Sequence, residues 1–302
     1  MKKLVTLLIA FMLISSLFGC AGPAQNKEPG NEAEIEVTDF KGRSVVLDKL
    51  PRKIVSLLPS NTEILFALGA GDRVVGVTSY CDYPEEARKV EQVGDFEGPN
   101  IELIRKVQPD VVLAGYIQED AVAALEKMGI PVIVTEAESF EGIFDSISLI
   151  GEVTGTAAEA ERITAEMKDK IAEIEAKTKD KEKPRVFYVV WKAPLTTAGS
   201  KTFINDVIKA AGGINVAEKV EGWANYSAEE MIKDDPDMLI AALHSTDEGM
   251  TAEDLSKDRI FSMLECVKQG RVYVMPDDNV ISRPGPRIVL AIEEMARVFY
   301  GE

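Results

Sequence analysis

The single histidine, His244, and three scattered cysteines, Cys20, Cys81 and Cys266, leave few groups for covalent or metal chemistry. A zinc-type site needs several imidazoles or closely spaced thiols, and neither pattern occurs. There is no G-x-S-x-G elbow and no H-E-x-x-H. Gly199-Ser200-Lys201-Thr202 carries the residues of a P-loop end in the wrong order, and Gly69-Ala70-Gly71 lacks the third glycine of a dinucleotide loop. An enzyme would have to draw on His244 with Asp277 or Asp278 as acid–base groups, and no local signature supports that pairing. The functional residue types that remain are mainly aromatic: Tyr80, Tyr83, Phe96, Tyr116, Trp191 and Trp223, with Arg283 beside them in Ser282-Arg283-Pro284-Gly285-Pro286-Arg287. Large flat rings around a cleft suit a large, flat or partly apolar ligand. Arg283 suits either an anionic ligand group or a structural ion pair with one of the many acids. Each ring likewise has a packing alternative.

These residues share a place in the expected fold. Apolar runs at Ile54 to Leu58, Val74 to Val77, Val111 to Ala114 and Val132 to Val134 read as strands. Helical segments alternate with them: one opened by a capping box at Ser60-Asn61-Thr62-Glu63, one from Asn100 to Val107, one from Glu119 to Met128. A second series begins at Arg185, with strands at Val186 to Val190, Met238 to Ala242 and Val272 to Val274, and helices near Phe203 to Ala211, Ser227 to Asp234 and Arg287 to Tyr300. Strands alternating with helices imply parallel sheets covered on both faces. In such sheets ligands bind beyond the C-terminal strand ends. Tyr80, Tyr83, Tyr116, Trp191 and His244 all follow a strand, while Phe96 and Trp223 lie in loops.

Between the two series, Thr156 to about Lys179 has no proline or glycine. Ala160, Ile163, Met167, Ile171 and Ile174 repeat at helical spacing, so one face is apolar. Such a helix is roughly 36 Å long at 1.5 Å per residue. That length suits a strut between two lobes, and a helical strut resists bending, so limited closure is expected. The fold class is α/β: two Rossmann-like lobes with parallel sheets, residues 35–155 and 181–302, joined by a single long helix at 156–180. An internal repeat supports this. NIELIRKVQPDVVLA (Asn100 to Ala114) aligns without gaps with SAEEMIKDDPDMLIA (Ser227 to Ala241), pairing Glu102 with Glu229, Pro109 with Pro236 and Asp110 with Asp237. Each lobe thus carries one glutamate in the first turn of a matching helix.

The N-terminus reads as an address. Lys2 and Lys3 precede a mainly apolar run, Leu4 to Leu17, that is shorter than the roughly 20 residues of a bilayer span. Leu17-Phe18-Gly19-Cys20 resembles a bacterial lipobox, which makes 1–19 a lipoprotein signal peptide and Cys20 the lipidated residue. Residues 20–34 are rich in Pro, Gly, Asn, Glu and Ala and form a flexible tether. The body is then held at a membrane surface, periplasmic or on the outer face of the cell membrane. The 302 residues hold 34 Lys+Arg against 51 Asp+Glu, a net charge of −17. Loss of the two N-terminal lysines makes the exported form −19. Such a charge excludes nucleic acid as the expected partner, since phosphate binding needs clustered cations.

Four stretches carry a resemblance: Arg52 to Gly71 (RKIVSLLPSNTEILFALGAG), Val75 to Pro84 (VGVTSYCDYP), Val93 to Glu102 (VGDFEGPNIE) and Ser282 to Ile288 (SRPGPRI). The chain from about Arg52 onward resembles the periplasmic-binding-protein family of ABC importers for cobalamin, ferric siderophores and haem, and most closely its cobalamin-binding branch. The resemblance implies two lobes joined by one long helix, no enzymatic activity and no resident cofactor or metal. It implies that the Tyr80 segment, Phe96, Trp223 and Arg283 line the ligand pocket; with Tyr83, Tyr116 and Trp191, read from the strand ends, they make up the expected ligand site, with cobalamin as cargo and a ferric siderophore or haem as the alternative. It gives Glu102 and Glu229 the role of docking onto arginines of the transporter's permease subunits, with the chain working as a monomer. Phe96 stands where the cobalamin branch has a tryptophan, Gly115-Tyr116 replaces another, and that branch's disulfide has no counterpart here.

Overall fold

The computed structural model describes residues 34–95, 98–242 and 251–301. The first described elements form an antiparallel hairpin, β1 (Ile35–Thr38) and β2 (Ser44–Leu47). The first α/β series follows: β3 (Ile54–Ser56), α1 (Pro59–Ala67), β4 (Val74–Val77), α2 (Ile101–Val107), β5 (Val111–Ala114), α3 (Glu119–Lys127), β6 (Val132–Val134) and α4 (Phe140–Thr154). Its sheet is parallel throughout, in the order β4-β3-β5-β6. After α5 (Ala157–Thr178) comes the second series: β7 (Arg185–Val189), β8 (Trp191–Lys192), β9 (Leu195–Ala198), α6 (Phe203–Ala210), β10 (Ile214–Asn215), β11 (Trp223–Asn225), α7 (Ala228–Asp234), β12 (Met238–Ala241), α8 (Ala252–Lys257), α9 (Glu265–Lys268), β13 (Val272–Val274), α10 (Asn279–Ser282) and α11 (Ile288–Tyr300). Its parallel sheet runs β10-β7-β12-β13, and a small antiparallel sheet, β11-β9-β8, stands beside it. None of the described helices is long and apolar enough to cross a membrane.

Strand residues alternate between two cores, as the period-2 geometry of a doubly covered sheet requires. In β5, Val112 and Ala114 join a core with Ile104 of α2 and Leu125 of α3, while Val111 and Leu113 point to the opposite face. In β7, Phe187 and Val189 join a core with Met231 of α7 and Leu255 of α8, while Val186 and Tyr188 point the other way. The two inner faces share one core, which runs from Val111, through Ile163, Met167 and Ile171 of α5, to Val186 and Ile292. Full burial of one such side chain contributes about 1.5–3 kcal/mol. A continuous core is a stronger tie between lobes than a polypeptide crossing alone.

The 22 residues of α5 make a rod of about 33 Å. The helix packs on α4 on one side and on α6 and α11 on the other, so it is a strut shared by both lobes. Close approach to α4 depends on Gly151, where a Cβ would lie 2.6 Å from the Cβ of Ala160. Lys170 adds an ion pair to Glu293 of α11 at 2.7 Å.

The start of α1 differs from the capping box expected at Ser60. Helix α1 begins at Pro59, with Leu58 as its N-cap and no side-chain cap. Proline is pre-organised for the first helical position, which moves the boundary toward the strand. Ser60, Asn61, Thr62 and Glu63 are consequently buried inside the first turns. Thr62 Oγ1 donates to Ser56 Oγ at 2.8 Å, and Glu63 points away to distant arginines.

Candidate ligand-binding cleft

Parallel strands end at a common edge, so the loops that follow them gather at one place. Beyond β3 lie Leu58, Pro59 and Ser60; beyond β4, Tyr80; beyond β5, Tyr116 and Ile117; beyond β6, Glu136, Ala137 and Glu138. These residues face Trp191 beyond β7, Trp223 at the start of β11, Phe203 and Ile204 of α6, and the segment Ser282–Pro284. Between them are two adjoining compartments of about 610 and 440 Å³, which share Glu136, Ser282 and Pro284.

Four rings expected from the sequence line this space and stay open to solvent: Tyr80 (59 % exposed), Tyr116 (37 %), Trp191 (39 %) and Trp223 (47 %). Rings this exposed gain little from packing, so their place on a concave surface points to ligand contact. The orientations of three of them are nevertheless held. Trp191 Nε1 donates to the carbonyl of Ala193 at 3.0 Å. Trp223 meets Phe203 edge to face, with centroids 5.5 Å apart. The Tyr116 hydroxyl donates to the carbonyl of Phe40 at 3.3 Å. Burial, reinforced by Glu138 and Glu136, keeps that phenol protonated to higher pH than usual.

Two expectations change. Arg283 does line the cleft, but its guanidinium is occupied from within. Nη1 pairs with Glu63 at 3.3 Å and Asp82 at 2.7 Å, and Nη2 donates to the carbonyl of Tyr80 at 3.1 Å. The structural ion pair is therefore the arrangement present. Arg287 completes it, with Nε and Nη2 bonding both oxygens of Glu63 at 2.8 and 2.6 Å. Glu63 is almost fully buried, and removing one member of such a group would strand a buried charge. Tyr83, expected in the cleft, lies outside it. Its ring stacks on the Arg287 guanidinium, 3.7 Å from the centroid, and lines a separate depression with Phe66 and Leu290. Tyr83 is thus corrected from ligand ring to support for the ion-pair group. Phe96, His244 and Cys20 lie outside the described residues. Asp277, the acid proposed beside His244, sits 3.6 Å from Arg287. Cys81 and Cys266 are buried free thiols. No group of three His, Cys, Asp or Glu suited to a metal occurs among the described residues.

The sequence reading missed Glu136. It is half-buried beyond β6, where Oε2 accepts the backbone N–H of Tyr116 at 2.5 Å. Burial raises its carboxyl above the usual range; the Tyr116 N–H opposes the shift and nearby Glu138 adds to it. Its signal was available, since it follows β6 as Tyr116 follows β5.

Outside the cleft, Glu102 and Glu229 are exposed in the first turns of α2 and α7. Its own backbone N–H, with a bond from Ser227 Oγ at 2.9 Å, holds the Glu229 carboxyl below its usual range.

A profile of periplasmic binding proteins matches residues 54–279, so the chain belongs to the periplasmic binding protein family. Members of this family bind and carry substrates, and the chain is accordingly a binding protein of the exported type and not an enzyme. An uncharacterised ABC transporter substrate-binding lipoprotein of Bacillus subtilis is 36% identical, over 99% of this chain and 98% of the relative. A cobalamin-binding protein of Halobacterium salinarum is 32% identical, over 92% of this chain and 78% of its own length. Among solved structures, a Staphylococcus epidermidis chain described as a possible iron-binding (periplasmic solute-binding) protein superposes with a TM-score of 0.73 at 33% identity, covering 83% of this chain and all of that one.

Proposed function

We propose that the chain is the substrate-binding lipoprotein of an ABC importer, anchored through Cys20, that captures cobalamin in the cleft and delivers it to the permease. The observation that carries the reading is the cleft itself: four half-open rings, two from each lobe, around a space of tetrapyrrole dimensions. Aromatic faces pack on a corrin while polar strand-end groups meet its peripheral side chains. The likeness to the Halobacterium salinarum protein supports the same ligand. Glu102 and Glu229, exposed and matched between lobes, are the groups we assign to docking on cationic permease side chains. Two such contacts steer encounter and set the register.

A ferric siderophore or haem is the second reading, favoured by the description of the Staphylococcus epidermidis chain. Both are commonly anionic. The occupation of Arg283 by Glu63 and Asp82 weighs against them.

Titration of the purified protein with cyanocobalamin, haemin and a ferric catecholate siderophore, followed by quenching of tryptophan fluorescence, tests the choice. Trp191 and Trp223 are the chain's two tryptophans, and both line the cleft. Saturable quenching by cyanocobalamin at micromolar concentration or below is expected. A silent response to it, with quenching by either iron ligand, overturns cobalamin as cargo.

A further inference from the structure

Glu136 occupies a position that no peripheral carboxylate would share comfortably. It is one of three residues that line both compartments, so any ligand filling the cleft passes beside it. Its placement is built from behind. Thr135, next to it, is fully buried and donates through Oγ1 to Asn61 Oδ1 at 2.6 Å, tying the end of β6 to α1. Oε2 accepts the Tyr116 N–H. A Cβ on Gly115 would stand 2.8 Å from that same oxygen and 2.8 Å from Leu58 Cδ1, so the glycine makes the room the carboxylate uses. Among the described residues no lysine or arginine forms an ion pair with Glu136, and the arginine that lines the cleft is held by Glu63 and Asp82. Glu138, also in the wall, adds a second negative charge. A carboxylate offers several acceptor positions, and Tyr116 fills one.

We propose that Glu136 sets the chemical class of the cargo: it accepts hydrogen bonds from primary-amide N–H groups on the ligand's rim and repels ligands whose rim carries carboxylates. The proposal rests on the tetrapyrrole reading above and deepens it. Charge-assisted bonds are roughly twice as strong as neutral ones, and a like charge brought against another in an interface is disfavoured. The selected rim is therefore amidated, and the rejected one acidic.

The test compares two corrins that differ in that rim, dicyanocobinamide, which bears primary amides, and cobyrinic acid, a polycarboxylate, on the wild-type chain and on Glu136→Gln. The wild type should prefer the amidated corrin, and Glu136→Gln should narrow that preference by about tenfold or more, mainly through tighter binding of the polycarboxylate. Gly115→Ala, which crowds the carboxylate out of its position, should narrow it in the same direction and serves if Glu136→Gln folds poorly. An unchanged preference in folded Glu136→Gln overturns the role of Glu136 while leaving the cargo reading standing. If the wild type binds neither corrin, the cargo reading falls, and haemin against its dimethyl ester then tests Glu136 alone. Preference for the ester that Glu136→Gln removes supports the residue's role; equal binding, or binding of neither, overturns it.

Discussion

Helices α2 and α7 are each seven residues long and are opened by a side-chain cap, Asn100 to the Leu103 N–H in one and Ser227 to the Glu230 N–H in the other. Each is closed by a non-glycine residue in the left-handed region, Gln108 at φ 53° and Asp235 at φ 42°. Each buries one apolar residue against its sheet, Ile104 or Met231. After the proline, Asp110 donates its backbone N–H to the Lys53 carbonyl and accepts the Lys53 N–H on its carboxylate, and Asp237 does the same with Arg185. The cleft faces of the same two lobes share none of this likeness. One presents Tyr80, Tyr116 and Glu136 on loops after parallel strands; the other presents Trp191 and Trp223 on a small three-stranded antiparallel sheet, which has no counterpart among the described residues of the first lobe. A repeated outer design suits a partner that meets both lobes in the same way, whereas unlike inner walls suit a ligand whose two faces and rim differ.

The largest effect should come from breaking the repeat while sparing the cleft. Replacing Glu102 and Glu229 together by alanine should abolish uptake of labelled cobalamin by the assembled importer and leave ligand affinity in solution within about twofold, since rim charges act mainly on association with the partner. Each single substitution should give an intermediate loss. Reduced ligand affinity in the double variant would place these acids at the ligand and dissolve the distinction between outer and inner faces.

The converse substitution acts on the cleft. Trp191→Ala and Trp223→Ala should each weaken cyanocobalamin binding by about 2 kcal/mol, roughly 30-fold, as buried aromatic anchors do, with a small effect on the melting temperature. Calorimetry with the single variants measures both. Equal, near-zero losses would return the tryptophans to a packing role and leave the cleft without its main contact surface.

How far the sequence foretold each region follows from the same contrast. Strands β3 to β7 and β12 were legible because they are largely buried on both faces, which compresses them into short apolar runs bounded by turns, and β13, though only half-buried, keeps such a run. The strut was legible because its buried residues keep helical spacing. The small sheet β8, β9 and β11 was not, since its segments WK, LTTA and WAN are very short and carry exposed or polar residues with no apolar run. Helix α4 was overlooked between β6 and the strut, and the hairpin β1–β2 preceded the first apolar run that was read. Of the four rings that line the cleft, Tyr80, Tyr116 and Trp191 were picked out by strand ends and Trp223 by its place in a loop. Arg283 was left with two alternatives, because its partner Glu63 is 220 residues away in sequence. Glu136 is one of 51 acids, and what distinguishes it, the space left by Gly115 and the Tyr116 N–H, exists only once β5 and β6 are side by side.

The smallest expected effect tests whether the two outer modules are also energetically alike. Asp110 accepts two backbone N–H groups, from Arg52 and Lys53 at 2.8 and 2.9 Å, where Asp237 accepts one, from Arg185 at 2.9 Å. Bonds to a charged acceptor contribute about 1 kcal/mol more than neutral ones, so Asp110→Asn should cost about 2 kcal/mol at neutral pH and Asp237→Asn about 1 kcal/mol. Burial by itself would raise the Asp110 carboxyl, but the Arg52 and Lys53 N–H groups together with Lys49 outweigh it and hold the carboxyl below its ordinary value of 3.8. A carboxyl depressed in the folded state is ionised there at pH values where the unfolded chain has begun to bind a proton. Its stabilisation is complete above about pH 5 and disappears as the pH falls through the folded-state value. Urea unfolding of the wild type from pH 7 to pH 3 should therefore show a steeper acid-side loss than Asp110→Asn, whose remaining loss comes from other depressed carboxyls such as Asp39 and Glu294, and the gap between the two chains should narrow toward the acid end. Parallel profiles, or equal costs for Asp110→Asn and Asp237→Asn, would mean that the extra hydrogen bond carries no energy and that the repeat is as symmetric in stability as it is in shape.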